Sequence, residues 1–331
     1  MNWGIIGTGK IARAFAESLK YVEGAQLVAV ASRSQKSAQR FANEFNIPQA
    51  LDNYEAITRL EDVEIVYIAT PHHLHYPNSL MCLQAGKHVL CEKPLSMTAR
   101  QTEHLIFTAR KENRFLMEGL WTHFLPVMQT VQSWILDNRI GDLVSIDASF
   151  GFKAPFDPNS RLFDLELGGG ALYDIGIYPI ALATHLVQTK PETTHAKAIL
   201  SQTGSDLTTA MILAFGSTLV TSRFTFAANM ENQAIITGKN GRIIVHPRFW
   251  QPEQATLITE SDTESENQPI EGPGLQFEAM HVQSCISGGL MESPVMPLSE
   301  SLLNMMIMED IAQKIGLKYP GSITKLDSWS P

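Results

Sequence analysis

The sequence predicts an α/β chain of two domains: a doubly wound parallel sheet over residues 1–120, and an α+β domain with an open-faced, mostly antiparallel sheet over 121–331. Short apolar runs alternate with helical patterns in the first part, which implies a parallel sheet with helices on both faces. The hydrophobic period then shortens to two, the mark of strands with one wet face. A length of 331 residues supplies two cores rather than one.

Taken in order, WGII (3–6), LVAVAS (27–32), IVYIAT (65–70), HVLCE (88–92) and FLMEGL (115–120) read as buried strands, with helices over 10–21, 36–45, 76–86 and 98–112. In LVSIDASF (143–150), Val144, Ile146, Ala148 and Phe150 share one face, and Ser145, Asp147 and Ser149 the other. TLVTSRFTF (218–226) repeats the pattern with Val220, Phe224 and Phe226. Asn240-Gly241, between QAIIT (233–237) and RIIVH (242–246), predicts a hairpin with a type I′ turn, since both residue types tolerate φ > 0. The acidic stretch 251–273 reads as a solvated loop around one short strand. Helices are expected on one face of the second sheet and a second copy of the chain on the other, because an exposed apolar sheet face finds a partner.

Lys+Arg number 25 and Asp+Glu 34, a net charge of −9, which argues against general nucleic-acid or membrane-surface binding. No run approaches the ~18 apolar residues of a membrane span. Cys82, Cys91 and Cys285 are scattered and show neither metal spacing nor a disulfide framework. With an opening unlike a signal peptide, this predicts a reducing, cytoplasmic compartment.

Gly7-Thr8-Gly9-Lys10-Ile11-Ala12 lies between the first strand and the first helix. Gly7 permits a tight turn, Gly9 lets a pyrophosphate approach the backbone, and Ala12 allows close helix–strand packing. The helix N-terminus supplies N–H groups and partial positive charge. The pattern in this setting predicts a Rossmann dinucleotide site, with Gly7, Thr8, Gly9, Lys10 and Ile11 meeting the cofactor. An unphosphorylated ribose wants an acid at the end of the second strand. There the sequence reads Ala31-Ser32-Arg33-Ser34, and 25–43 holds no Asp or Glu but has Arg33, Lys36 and Arg40. Ser32 and Arg33 suit a 2′-phosphate, so the preference is for NADP(H), with NAD(H) as the second choice.

Thr70-Pro71-His72-His73-Leu74-His75 follows the strand at 65–70. Three histidines raise the question of metal, but no carboxylate or cysteine nearby completes a site, and none is predicted. The carboxyl end of a parallel strand instead puts Thr70, Pro71, His72 and His75 at a ligand crevice, with His73 as a surface residue. In Glu92-Lys93-Pro94 the proline ends the strand, leaving Glu92 and Lys93 at the carboxyl edge of the sheet, on the cofactor side. After Gly168, Gly169 and Gly170 come Asp174 and Tyr178, four residues apart and therefore on one face of a helix.

These residues resemble the Gfo/Idh/MocA oxidoreductases: GxGxxA at 7–12, TPxxxH at 70–75, AGKHVLCEKP at 85–94 and the glycine-led DxGxY at 174–178. The likeness covers essentially the whole chain. MEGLWT (117–122), RLF (161–163) and 167–178 resemble the branch of dimeric dihydrodiol dehydrogenases and NADP-dependent D-xylose 1-dehydrogenases, where Tyr stands at the position that carries His in many members. His123 departs from that branch, which carries Arg after Trp-Thr, and this bears on substrate specificity.

The resemblance implies a Rossmann domain followed by a domain that binds substrate and dimerises through its sheet. It implies that Tyr178 faces the nicotinamide as general acid/base, with Lys93 lowering a phenol pKa that is ordinarily ~10. Asp174 would orient the pair or bind a substrate hydroxyl. Trp121, His123, Phe150 and Arg161 would line the pocket, Trp121 as a flat apolar wall. The implied substrate is a small molecule, an aldose oxidised at C1 or a trans-dihydrodiol. Other readings stay open: reaction at another sugar carbon, aldose–aldose exchange on a tightly held cofactor, an imine or bilin reductase, or a non-catalytic NADP(H)-sensing regulator, which need not keep Lys93 and Tyr178.

Overall fold

In a computed structural model of the chain, which describes residues 1–326, the apolar runs of the first part become parallel strands: β1 (Asn2–Ile6), β2 (Gln26–Ala31), β3 (Gln49–Leu51), β4 (Ile65–Ile68), β5 (His88–Glu92) and β6 (Leu116–Gly119). β1, β4, β5 and β6 are buried on both faces, since helices α1 (Lys10–Ser18), α2 (Gln35–Phe45), α3 (His75–Gln84) and α4 (Ala99–Lys111) lie between the strands in sequence and cover the sheet. Ile6, Ala29, Val66, Ile68, Val89 and Leu116 form the continuous core. Ser34 and Thr98 cap α2 and α4 by accepting the N–H groups of Ser37 and Gln101, at 3.4 and 3.1 Å. The strand order β3-β2-β1-β4-β5-β6 reverses between β1 and β4, so a crevice opens outside their carboxyl ends.

The second part forms helices α5 (Pro126–Leu136) and α6 (Ile177–Val187) and an eight-stranded sheet. Its strands are β7 (Leu143–Gly151), β8 (Thr193–Leu200), β9 (Asp206–Phe215), β10 (Thr218–Thr225), β11 (Ala234–Gly238), β12 (Gly241–Val245), β13 (Gln254–Thr259) and β14 (Thr263–Asn267). Their order is β14-β13-β12-β11-β7-β10-β9-β8, with β7–β10 parallel and every other pair antiparallel. Ile146, Ala148, Phe150, Val220 and Phe224 are buried on the inner face, where α6 packs on β7. On the outer face Ile212 and Leu219 are 43 and 46% exposed.

Contacts divide the chain differently from a single cut at 120/121. One unit holds residues 1–121, 271–302 and the C-terminal segment from 324; the other holds 122–270 and 303–323. The late segment joins the first unit because it completes that unit's packing. Helix α7 (Gln276–Ser287) supplies Gln283, whose side chain accepts from Trp3 Nε1 at 3.0 Å and donates to Glu23 O at 3.0 Å. The main chain of Leu116 donates to Met291 O at 3.3 Å. The split at 302/303 falls within α8 (Leu298–Ile315).

Three sequence expectations change. The β11–β12 hairpin forms, but its register pairs Gly238 with Gly241, so Lys239 and Asn240 make the turn. Neither takes a positive φ, and the turn is not type I′. Its N–H groups donate outward instead, Lys239 to Asp142 O at 3.0 Å and Asn240 to Ile140 O at 2.8 Å. The two glycines are needed for close backbone approach: a Cβ at Gly238 would stand 2.2 Å from Ile140 O, and one at Gly241 2.5 Å from Ile258 O. The acidic stretch is a β13–β14 hairpin rather than a loop around one strand, since its threonines, Leu257 and Ile258 alternate well enough to extend the sheet. Finally, Leu165–Val187 contains a window with the mean hydropathy of a membrane span, 1.2, but 83% of that window is buried, which makes it core.

Gly238→Ala is expected to cost about 2 kcal/mol or more, because the clash is with backbone and cannot be relieved by a rotamer. A urea midpoint equal to the parent's would rule out this account of the turn.

Candidate functional site

In the first unit, Gly7 turns out of β1 at φ +113°, and its N–H donates to Ala31 O at 2.9 Å. A Cβ there would lie 2.5 Å from Ala69 O, whereas a Cβ at Gly9 would meet nothing within 4 Å. The first glycine is thus required by the protein, and the second leaves room for a ligand. Gly9 is also the N-cap of α1, which receives no side-chain cap and has no acid in its first turn. Its N–H groups are presented to an anion. Beside it lies a cavity of ≈ 530 Å³ lined by Thr8, Ser32, Arg33, Tyr54, Thr70 and Pro71, among others. Glycine turn, open helix end and hydroxyl- and guanidinium-bearing wall all fit a phosphorylated dinucleotide. Lys10 and Ile11 are exposed at the start of α1 and do not line this cavity, because the helix turns their side chains away from the loop.

Tyr54 is a wall residue that sequence reasoning missed. It follows β3, itself too short to carry a periodic signal. Burial raises its phenol above the ordinary value, while the Arg33 charge beside it pulls the other way.

His75 does not face the crevice as expected. Its ring is buried, with Nδ1 2.7 Å from Pro94 O and Nε2 2.8 Å from Thr70 O. It braces the end of β4 against the turn after β5. Burial pushes its pKa down to about 4, against the two carbonyls, so it is neutral at pH 7. His72 is buried against it, edge to face at 5.6 Å. Glu92 likewise turns inward: its carboxylate accepts the Tyr67 hydroxyl and, at 3.2 Å, the Lys93 N–H. Lys93 follows, partly exposed, and the Lys93–Pro94 peptide is cis. Two further carboxyls lie buried in this unit. Glu118 accepts the Leu95 N–H at 2.9 Å, and burial lifts it to about 7, with Lys93 a small opposing influence. Glu278 of α7 is pushed well above the carboxylate range by burial and then by the Glu92 charge.

In the second unit, Gly168 and Gly170 take φ +79° and +130° and lead into a π-helical turn, Leu172–Gly176, which continues as α6. Asp174 sits in the π turn and Tyr178 in the first turn of α6, so one regular α-helical face does not describe them. Arg161, 55% exposed, pairs with Asp174, 9% exposed, at 3.0 Å. Phe150 reaches the same region, its ring 5.7 Å from Tyr178 and stacked on Trp250 at 3.6 Å. Trp250 was missed by the sequence reading because it lies in an irregular stretch before β13. His123 is buried, its ring stacked on that of His185 at 4.0 Å. Trp121 is the last residue of the first unit's N-terminal segment and is partly exposed.

A dinucleotide crevice followed by an open-faced sheet domain is the arrangement of a nicotinamide-dependent oxidoreductase. Residues 1–120 match the oxidoreductase family with NAD-binding Rossmann fold, and residues 128–244 match the GFO/IDH/MocA C-terminal domain. The chain belongs to the Gfo/Idh/MocA oxidoreductase family. It is 38% identical to trans-1,2-dihydrobenzene-1,2-diol dehydrogenase of Xenopus tropicalis, over 96% of this chain and 99% of that protein. Aldose-aldose oxidoreductase of Caulobacter crescentus, complexed with glycerol, shares the fold at TM-score 0.86 and 23% identity, over 95% of this chain and 97% of that one. A 3-ketoreductase from Actinomadura kijaniata, in complex with NADP and TDP-benzene, superposes at TM-score 0.84 with 25% identity over 95% and 98% of the two chains.

Glu118 gives a pH signature. A carboxyl at about 7 in the folded chain, against an ordinary 4.5, binds its proton more tightly when folded. Stability contributed by the neutral form is therefore lost as pH rises through that window. Glu118→Gln keeps an acceptor for Leu95 and removes the titration. Its Tm is expected to fall less than the parent's between about pH 5 and pH 8; equal slopes would sink the assignment.

Proposed function

We propose that this enzyme is an NADP-dependent dehydrogenase that oxidises a carbinol carbon of a small cyclic alcohol, a trans-dihydrodiol or an aldose at C1. The observation that carries this reading is the 38% identity to a dihydrodiol dehydrogenase over 96% of the chain. Ser32 and Arg33, with no acid beside them in the crevice, support NADP(H) as the preferred cofactor and NAD(H) as the weaker one.

The bound nicotinamide supplies the hydride acceptor. Gly7, Thr8, Gly9 and the N-terminus of α1 would hold the dinucleotide's pyrophosphate, and Ser32 and Arg33 its ribose phosphate. Tyr178 takes the hydroxyl proton as the carbinol hydrogen leaves, and Lys93 is assigned to favour the phenolate. Asp174, oriented by Arg161, accepts a hydrogen bond from a second substrate hydroxyl. The stacked pair Phe150–Trp250 offers a flat apolar wall to a ring. An aldose leaves as its lactone; a trans-dihydrodiol leaves as a ketone that tautomerises to a catechol.

Absorbance at the NADPH band, with NADP⁺ and NAD⁺ offered separately and a panel of aldoses and a trans-dihydrodiol, tests this directly. Turnover is expected with NADP⁺, with kcat falling ~100-fold or more in Tyr178→Phe. Arg33→Ala is expected to weaken NADPH binding far more than NADH binding. Tight NADPH binding with no turnover of any alcohol in either direction would overturn the dehydrogenase and favour a cofactor-sensing regulator.

The outer sheet face supports a homodimer. Ile212 lines a depression of ≈ 570 Å³ there, together with Asp147, His195 and Arg223. Ile212→Glu is expected to yield a folded monomer by light scattering; a variant with the parent's mass would remove this face as the interface. The three unpaired, buried cysteines support work in a reducing compartment, the cytoplasm.

A further inference from the structure

Behind the segment that carries Asp174 and Tyr178 lies a carboxylate to which the proposed chemistry gives no part. Asp206 opens β9 and is fully buried. Its Oδ2 accepts the Leu172 N–H at 2.9 Å and the Thr209 hydroxyl at 2.8 Å. Leu172 is the first residue of the π-helical turn. Gly170 passes so close that a Cβ on it would stand 2.4 Å from Asp206 Oδ1. On the other side Tyr319 donates to Gly169 O at 3.0 Å, and its ring meets Tyr173 edge-on at 4.9 Å. The carboxylate is therefore seated where main-chain N–H groups lack helical partners and the helix end carries partial positive charge.

A π turn is rarer than the α-helix it interrupts and tends to occur at functional sites. Relaxation of this one to α geometry would change the register between Gly170 and α6, and with it the places of Asp174 and Tyr178. We propose that Asp206 is a positioning residue: its carboxylate caps the π turn and so fixes where Asp174 and Tyr178 stand for the reaction. This rests on the reading of Tyr178 as the proton acceptor.

The titratable groups facing Asp206 are Tyr173 on the π turn and Tyr319 after α8, with Glu309 on α8 acting on Tyr173. Burial pushes both phenols above their ordinary range, so they stay neutral across an assay. Burial also lifts the Asp206 carboxyl to about 6, against the hydrogen bonds from Thr209 and the main chain. The cap is charged above that pH and weakened below it.

Asp206→Asn keeps the size and removes the charge. It is expected to bind NADPH like the parent, to lose about tenfold to a hundredfold in kcat with little change in KM, and to lack the acid limb expected of the parent near pH 6. Hydrogen exchange at the Leu172 amide is expected to accelerate, a readout that needs no turnover. Thr209→Val removes one hydrogen bond to the ionised form and is expected to move the acid limb to higher pH; it carries the test should Asp206→Asn fail to fold. A parental kcat with the acid limb intact in Asp206→Asn, or an unmoved limb in Thr209→Val, overturns the proposal. Tyr178→Phe run in parallel separates the two readings. If it is inactive while Asp206→Asn is parental, only the cap falls; if it retains turnover, both fall.

Discussion

The architecture depends on how closely the Gly7 turn approaches the end of β4. A central parallel strand must leave its sheet without stranding main-chain polar groups, and here it does so by donating to β2 at Ala31 O while pressing against Ala69 O. Any side chain at that point would push the turn away from β4. Because β1 sits between β2 and β4, one residue sets the spacing of the loops on both sides, and those loops bring Ser32 and Thr70 to the same cavity. The absence of a side-chain cap on α1 belongs to the same arrangement, since a cap would occupy the donors meant for an anion.

Around the end of β5 the protein accepts an electrostatic cost. Glu92, Glu118 and Glu278 are all buried, where three ionised carboxylates could not coexist. The chain manages them unequally. Glu92 has the Tyr67 hydroxyl and the Lys93 N–H, whereas Glu278 is held toward its neutral form by burial and by Glu92. Groups so perturbed collect at functional sites, and Lys93 follows Glu92 directly in sequence.

The elements legible in the sequence were those with a sustained period. The buried runs of β1, β4 and β5 and the alternation in β7 and β10 gave strands, and the glycine turn gave the dinucleotide site. Shortness hid β3, and with it Tyr54. Polar composition hid the β13–β14 hairpin, because strand pairing at a solvated edge needs alternation more than hydrophobicity. The misplaced site residues share a different cause. His75 and Glu92 are polar residues whose sequence neighbours belong to motifs, yet their side chains meet main-chain carbonyls or a tyrosine. Sequence position shows which loop a residue belongs to, but its direction comes from tertiary packing. The π turn was illegible for the same reason: Asp206, which accepts the N–H of its first residue, Leu172, is remote in sequence.

The alternation of β7 has a consequence for the second unit as a whole. Ala148 and Phe150 point to the inner face, and Phe150 meets Tyr178 and Trp250. Asp147 and Ser149, between and beside them, line the outer depression. One strand therefore serves the proposed substrate wall through Phe150 and the proposed dimer face through Asp147 and Ser149. The parallel pairing to β10 fixes this assignment by aligning Ile146, Ala148 and Phe150 with Val220, Ser222 and Phe224. A one-residue slip would exchange the two faces at every position, placing Asp147 in the core and Phe150 in solvent. The buried row of Ile146, Val220 and Phe224 is what resists that slip, so the packing that gives the domain its core also keeps its two surfaces distinct.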